Sequence, residues 1–339
     1  MSRTTPPRLV DITGVFPQLG PLARTATRLH PRPGPVTPHD SSIGGPLRWP
    51  STEPWPYCEG PHEFAFGSKP PLSLTGVRIL RQIGAGFYSA YTRPQPRTAQ
   101  QQEVVDRIKA GRDFPEGSIA MLPAAQLYVR DVPQLRPPPG ADLLQVLWCP
   151  FSHGHEHTLR TALFWRESDE VTDILAQPPE PAVVQLETFV PEPCRIHPED
   201  VTEYPRQNYN PGHPGDGIDY ELSQALDEWS EDNQLYYSSH LSVAPGWKVG
   251  GWTPWSRADP VELHCMACGA PMDPLLTIAS QEWDSASRSW LPYEDRERPD
   301  DAYPPLFAPT MINLGDADTQ QLYICPVDPN HPHAGFCAT

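Results

Sequence analysis

Proline is the residue that most constrains this chain. It accounts for 46 of the 339 residues, against an ordinary share of about 5 %. Because proline has no backbone N–H and a fixed φ, it interrupts long helices and is kept out of the interior of most sheets. The chain also contains ten tryptophans and twelve tyrosines, whereas disordered proline-rich chains are poor in aromatic residues. The sequence therefore predicts a folded α+β protein, mostly β, with few and short helices.

Two parts of the chain share a motif and the elements that follow it. The pattern [IV]-G-G-x-x-x-W occurs at residues 43–49 and again at 249–255. A cysteine follows the second glycine by 13 residues in the first copy and by 14 in the second. Each copy then has a strand that begins with Met-x-Pro, at Met121 in the first copy and at Met272 in the second. Each copy closes with a strand that ends in Cys-Pro, at Cys149 in the first copy and at Cys325 in the second. The sequence therefore predicts two diverged repeats of one β-rich module.

The repeats divide the chain into two predicted units. Residues 1–205 form the N-terminal repeat, and residues 206–339 form the C-terminal repeat with its Cys-x-x-Cys motif. The first repeat is longer because of an insertion at about 63–118, in which residues 99–110 are predicted to form a short helix. A second helix is predicted within 218–233, where apolar residues recur at i, i+4 and i+7 opposite an acidic face.

The motif Cys265-x-x-Cys268 is typical of a metal-binding turn, in which two thiolates converge and a following glycine relieves the backbone. A second pair of ligands is expected downstream, where Cys325 supplies one and either His331 or His333 the other. Three cysteines and one histidine suit zinc, which is borderline-soft and tetrahedral in such sites. Two alternatives remain open: a redox pair, which would need a βαβ context, and buried free thiols. We predict a zinc site here.

The N-terminal repeat offers a matching set of ligands. Cys58-x-x-x-His62 occupies the place of the Cys-x-x-Cys motif, and Cys149 is followed by His153. Two cysteines and two histidines again suit zinc. Alternatively, Cys149 packs as a small apolar residue at the end of a strand and the histidines are solvated. We predict a second zinc site from these four residues.

A histidine cluster raises the question of catalysis. His153, His155 and His157 lie together in the segment HGHEH, and three imidazoles could leave one coordination position of a metal vacant for hydrolysis. The segment is not H-E-x-x-H, and the chain has no G-x-S-x-G or G-x-G-x-x-G motif. The sequence therefore assigns no catalytic residue, and a metal-dependent hydrolase that uses this cluster is the alternative to a non-catalytic protein.

The charge of the chain restricts its partners. A net charge of −17 argues against nucleic acid and anionic membranes, because both require a basic surface. No apolar run approaches bilayer length, and the first residues lack the apolar core of a signal peptide. We therefore expect a cytoplasmic protein with reduced or metal-bound cysteines. We expect its partner to be another polypeptide, with a basic charge.

The N-terminal copy has a glycine pair, two Trp-Pro pairs and an Ala-Gln-Leu strand, which are Gly44-Gly45, Trp49-Pro50, Trp55-Pro56 and Ala125-Gln126-Leu127. This order resembles the YwqG-like family of bacterial proteins of unknown function. Genes of that family occur in toxin-immunity neighbourhoods. The resemblance therefore implies a β-rich scaffold with an immunity-like role.

The C-terminal copy has a Val-Gly-Gly block, a tryptophan, a Cys-x-x-Cys-Gly-x-Pro turn, a Leu-Leu strand and a cysteine-bearing strand, which are Val249 to Gly251, Trp255, Cys265 to Pro271, Leu275-Leu276 and Tyr323 to Cys325. This order resembles the eukaryotic programmed-cell-death-2-like family, whose members are thought to escort a nascent ribosomal protein. The chain departs from that pattern because Cys325 is followed by proline and histidines rather than more cysteines. The residues and the resemblances together predict a non-catalytic, zinc-stabilised scaffold that binds a protein or peptide, chaperone-like or immunity-like.

Overall fold

The computed structural model of the chain describes residues 2–62, 69–85, 96–153, 158–207, 217–255, 260–297, 303–315 and 319–338. The structure is α+β and mostly β, as the sequence predicts. The strands are β1 (Arg24–Arg28), β2 (Arg32–Pro33), β3 (Ser42–Ile43), β4 (Tyr57–Cys58), β5 (Leu72–Ser73), β6 (Ile119–Ala120), β7 (Leu122–Tyr128), β8 (Leu143–His153), β9 (Thr158–Arg166), β10 (Val183–Val184), β11 (Cys194–Arg195), β12 (Glu199–Glu203), β13 (Lys248–Gly250), β14 (Asp273–Ala279), β15 (Thr319–Ile324) and β16 (Ala334–Ala338).

Two six-stranded antiparallel sheets organise the described residues. The N-terminal sheet has the order β2-β11-β3-β7-β8-β9, and the C-terminal sheet has the order β12-β1-β13-β14-β15-β16. Two short ladders, β4 with β6 and β5 with β10, flank them. Several strands are only two residues long, which is the consequence expected of so many prolines.

The two sheets contain runs with matching register. The run β3-β7-β8-β9 and the run β13-β14-β15-β16 are both antiparallel, and each has a bulge just after a proline near the start of its second strand, at Pro123 and at Pro274. The central pairs are Ile43 with Ala125 and Ala125 with Val146 in the first run, and Val249 with Leu276 and Leu276 with Leu322 in the second. The internal repeat stays a prediction, and these shared registers are consistent with it.

The helices are α1 (Ile12–Val15), α2 (Leu74–Ala85), α3 (Ala99–Lys109), α4 (Tyr220–Asn233) and α5 (Tyr237–His240). The two predicted helices are confirmed as α3 and α4. Helix α3 begins at a capping box formed by Thr98 and Gln101, which satisfies amides that the first turn would leave unpaired. Helix α2 was not predicted, although Leu74 and Val77, both buried, have the i, i+3 spacing of a helix face. No helix in the described ranges is long and apolar enough to cross a bilayer.

The largest buried apolar cluster draws side chains from both sheets, among them Val146 from β8 and Leu276 from β14. The predicted division at residue 205 therefore does not separate two cores. It does not separate the two sheets either, because β1 and β12 lie before it and both pair within the C-terminal sheet, β1 directly against β13. This pairing joins segments more than two hundred residues apart, and a local pattern carries no signal of it.

Candidate metal centres

The C-terminal centre forms where two neighbouring strands meet the loops at one end of the sheet. Cys265 and Cys268 lie on the turn before β14, and Cys325 follows directly after β15. Because β14 and β15 are antiparallel neighbours, these positions lie at the same end of the pair. The turn is tight: the Gly269 amide donates to the Cys265 carbonyl at 2.8 Å. Gly269 has a φ of 72°, which glycine adopts without strain.

The ligand atoms of the C-terminal centre are close to tetrahedral spacing. Four ligand atoms lie within 4.8 Å of one another: Sγ of Cys265, Cys268 and Cys325, and a ring nitrogen of His331. Cys268 Sγ is 3.5 Å from Cys325 Sγ, and Cys265 Sγ is 3.5 Å from His331 Nδ1. A zinc tetrahedron with bonds of about 2.3 Å to sulfur and about 2.05 Å to nitrogen has edges of about 3.6–3.8 Å. The four side chains could therefore hold a metal ion with little movement.

The sequence leaves open whether His331 or His333 is the fourth ligand, and the structure brings His331 into the cluster. A turn in which the His331 amide donates to the Asp328 carbonyl at 3.0 Å directs the His331 ring to the sulfurs. His331 Nε2 lies 3.8 Å from an oxygen of the Asp328 carboxylate, which is within ion-pair range but too far for a hydrogen bond. His333 lies outside the cluster, and its Nε2 is 2.8 Å from the Thr161 hydroxyl of β9.

The C-terminal cluster changes the acidity of its own members. Burial acts to raise the pKa of Cys325, but the amides of Asp328 and Val327 and the His331 ring outweigh burial and lower that pKa to about 6. Contact with the Cys325 sulfur raises the pKa of His331 against the effect of desolvation, and Cys265 adds to the rise. A thiolate is the form of cysteine that binds a metal, so these amides prepare Cys325 as a ligand.

The N-terminal centre depends on a distortion of the longest strand. Cys149 and His153 both lie on β8, and along a regular strand they would be too far apart to share an ion, at about 3.3 Å per residue. The β8–β9 pairing shifts between Trp148 and Ser152, where three residues of β8 face one of β9. The chain bulges there and brings the two side chains together.

The other two ligands come from the short ladder beside β8. Cys58 ends β4, which pairs with β6, and His62 follows four residues later. The ligand atoms of Cys58, His62, Cys149 and His153 lie within 4.8 Å of one another, and Cys58 Sγ is 3.5 Å from His153 Nε2. His62 Nε2 is buried and has no hydrogen-bond partner among the described residues. Burying a ring nitrogen without a hydrogen bond is costly. The position of this nitrogen therefore fits that of a metal ligand.

Burial keeps both imidazoles of the N-terminal centre neutral. Desolvation, with a smaller contribution from the Arg160 charge, lowers the pKa of His153 to about 4 and lowers that of His62 as well. Desolvation, with the neighbouring Cys58, raises the pKa of the Cys149 thiol. Neutral imidazole is the ligating form of histidine. The two histidines therefore need no proton loss to bind a metal, whereas the Cys149 thiol does.

Arg160 is a member of this centre that the sequence reasoning missed. Its Nη1 donates to the Gly60 carbonyl at 2.8 Å and lies 3.8 Å from Cys58 Sγ. A guanidinium there stabilises a thiolate by charge. Its place on β9 follows from strand pairing, and nothing in the local sequence indicates it.

The remaining cysteines and histidines of interest lie elsewhere. Cys194 is buried on β11 and donates to the Pro309 carbonyl at 3.4 Å. Cys337 is buried on β16. His155 and His157 of the predicted hydrolase cluster lie outside the described residues, and His153 belongs to the four-residue centre.

Both centres thus offer four ligands of the zinc type. Four protein ligands fill a tetrahedron, whereas a catalytic zinc site keeps one position for water or substrate. Comparison of the chain with models of known protein families gives no match, and comparison with curated proteins gives none either.

Proposed function

We propose that the chain is a non-catalytic scaffold that holds two structural zinc ions and binds another polypeptide. The observation that carries this proposal is that each centre brings four side-chain ligand atoms within 4.8 Å of one another. With four ligands from the protein, a bound ion has no place for a substrate and acts as a crosslink between distant segments. In the C-terminal centre the crosslink joins the turn before β14 to the segment after β15.

The donor sets favour zinc over other ions. Thiolate and imidazole ligands suit zinc, whereas calcium and magnesium take oxygen ligands. With a divalent ion bound, the three thiolates and the neutral imidazole of the C-terminal centre give a net charge of −1. The two thiolates and two neutral imidazoles of the N-terminal centre give a net charge of zero with the same ion. The amides at Cys325 and the guanidinium of Arg160 are placed to offset the thiolate charge in the respective centres.

The hydrolase alternative needs His153 in an open site. His153 Nε2 instead lies beside Cys58 Sγ, so the described geometry supports the closed site. The scaffold is therefore the function that we propose.

Metal analysis of tag-free protein tests this proposal. We expect two zinc ions per chain by elemental mass spectrometry, and one ion per chain in each of the variants Cys149→Ser and Cys325→Ser. A loosely held single metal with an exchangeable water, or seven freely titratable thiols with no metal, would overturn it. Exposed Cys268 gives an internal check, because Cys268→Ser should release only the C-terminal ion.

The polypeptide-binding part rests on surface features near the C-terminal centre. The two cysteine-bearing turns carry the most exposed large apolar residues of the described chain at or near their tips, Met266 at 91 % and Val327 at 69 % exposure. Exposed apolar residues grouped at one place favour protein contact. A chaperone-like or immunity-like role is the specific form of the proposal. Recovery of no polypeptide with the native protein from its own host would count against it.

A further inference from the structure

The thiols of the two centres differ in their exposure to solvent. Cys268 is exposed, whereas Cys265 and Cys325 of the same centre are only 3 % and 0 % exposed. In the N-terminal centre, Cys58 and Cys149 are both buried, at 3 % and 0 % exposure. Of the five cysteines in the two centres, Cys268 is therefore the one that a reagent in solution can reach.

A second thiol lies in contact with the exposed one. Cys268 Sγ is 3.5 Å from Cys325 Sγ, although the two residues are 57 positions apart in the sequence. The other cysteine of the turn, Cys265, has its sulfur 3.5 Å from Nδ1 of His331. The structure thus gives Cys268 a neighbouring thiol on a different segment of the chain, which the Cys-x-x-Cys motif by itself does not indicate.

The contact between these two sulfurs is a suitable starting point for a disulfide. Cys268 and Cys325 need only a small approach of their side chains, because the sulfurs already touch. A bond between Cys265 and Cys268 would instead form within one tight turn, where the Cys265 amide donates to the Ala270 carbonyl and its carbonyl accepts from the Gly269 amide, both at 2.8 Å. The geometry therefore favours a disulfide between the two segments over one within the motif.

Exposure and metal binding together make Cys268 reactive. A thiolate, and not a thiol, is the nucleophilic form of cysteine, and a cysteine that coordinates a metal ion is held as the thiolate. Susceptibility to oxidation follows thiolate character and solvent access, and a nearby second cysteine resolves the oxidised sulfur as a disulfide. Cys268 meets all three conditions, whereas the buried cysteines of the N-terminal centre lack solvent access.

We propose that the C-terminal centre is a peroxide-sensitive switch, in which oxidation of Cys268 forms a disulfide with Cys325 and releases the zinc ion. The inference rests on the proposed function and gives the exposed centre a regulatory role that the buried centre lacks. Once two of the four ligands are withdrawn, Cys265 and His331 alone no longer hold the ion. The disulfide joins the same two segments as the ion did, so the turn before β14 stays linked to the segment after β15.

The oxidation takes place in two steps, with hydrogen peroxide as the oxidant. The Cys268 thiolate attacks one oxygen of the peroxide, the O–O bond breaks, and the products are a sulfenic acid and a hydroxide ion. The Cys325 thiolate then attacks the Cys268 sulfur, which forms the S–S bond and displaces a second hydroxide ion. Each sulfur gives up one electron, the peroxide accepts both, and zinc leaves as the divalent ion because it has no redox chemistry of its own.

Hydrogen peroxide added to the zinc-loaded full chain tests the switch. A chromogenic zinc chelator measures release, with a sample that lacks peroxide as the blank, and peptide mass spectrometry after blocking of free thiols identifies the disulfide. We expect one zinc ion per chain to be released at least about tenfold faster than the other, together with a disulfide between Cys268 and Cys325. A thiol reductant followed by added zinc should restore the original zinc content.

Two protein variants locate the effect. Cys268→His keeps a fourth ligand for the ion but cannot form the disulfide, so its loaded C-terminal centre should release zinc at least about tenfold more slowly in peroxide. Cys337→Ser is the matched control, because Cys337 is a buried cysteine of the same sheet and belongs to neither centre. It should release zinc at the wild-type rate. If Cys268→His does not load with zinc, the disulfide found in the wild-type chain decides the question.

Retention of both zinc ions in excess peroxide would overturn the inference, and so would equal rates of release from the two centres. A disulfide between Cys265 and Cys268 would also overturn it, as would zinc loss that follows oxidation of Met266, the 91 % exposed residue of the same turn, without any disulfide. Each of these results, obtained on protein that contains two zinc ions, leaves the structural-zinc part of the proposed function standing. Failure of that part would appear as a lower zinc content before peroxide is added.

Discussion

The two candidate metal centres use similar ligands and differ in how far they are exposed to solvent. The N-terminal centre lies inside an apolar cluster, and the residue two positions after its Cys149, Phe151, is fully buried. In the C-terminal centre Cys265 and Cys325 are also buried, in a smaller apolar cluster, but Cys268 is exposed and so is most of Val327, two positions after Cys325. One ligand arrangement can therefore occur at two levels of exposure in the same fold. We propose that the N-terminal centre anchors a core and that the C-terminal centre, with its exposed cysteine, shapes a surface for a partner.

Ligand removal is the change that should separate the centres most. We expect Cys149→Ser to lower the free energy of unfolding by about 5 kcal/mol, because it removes a metal and leaves a buried hydroxyl in an apolar cluster. Cys268 is exposed, and we expect Cys268→Ser to cost only about 2 kcal/mol. Urea unfolding with zinc present measures both. Equal losses would contradict the distinction between a core anchor and a surface centre.

Truncation beside each centre, with the ligands kept, sharpens the comparison. We expect Phe151→Ala to cost about 3–5 kcal/mol, as for other buried aromatic residues. Met266→Ala, at a 91 % exposed position of the C-terminal turn, should change stability by no more than about 0.5 kcal/mol. Unfolding measurements and zinc content distinguish the two. A large stability loss in Met266→Ala would mean that the tip of this turn packs against the protein.

A smaller effect than ligand removal or core truncation concerns acid sensitivity outside both centres. Burial first, and then the charge of Arg3, lowers the pKa of His197 to about 4, against about 6.5 in an unfolded chain. Between these values the unfolded chain binds a proton that the folded chain does not, so stability falls as the pH drops from about 6.5 to 4. Because the ring is partly exposed, we expect a loss of about 1 kcal/mol after solvent screening.

The variant His197→Asn should remove this loss and leave the zinc content at neutral pH unchanged. The acid sensitivity that remains then belongs to other groups, the two centres among them. Exposed His39→Asn is the control and should keep the wild-type profile. Unfolding free energies at pH 7, 6, 5 and 4 measure the slope. Parallel profiles for His197→Asn and wild type would contradict the assignment.

Much of the candidate sites was predictable because their parts are short motifs. A Cys-x-x-Cys-Gly turn is a local structure, and a cysteine at the end of a strand is visible in the strand pattern. The structure brings Cys265, Cys268 and Cys325 together, and does the same for the four predicted residues of the N-terminal centre. His331 could not be chosen over His333, because the choice depends on a turn at Asp328 and on contact of His333 with Thr161 of another sheet.

The β-rich class, the two helices and the ligand types of both centres could be predicted from the amino-acid sequence. All of these depend on residue preference and short spacing, which act locally. The tertiary structure was needed to show that β1 and β12 join the C-terminal sheet, that Arg160 reaches Cys58, and that β13 ends at Gly250. Each of these depends on contacts between segments far apart in the chain. Such contacts are set by the packing of the whole core, and no local pattern of residues encodes them.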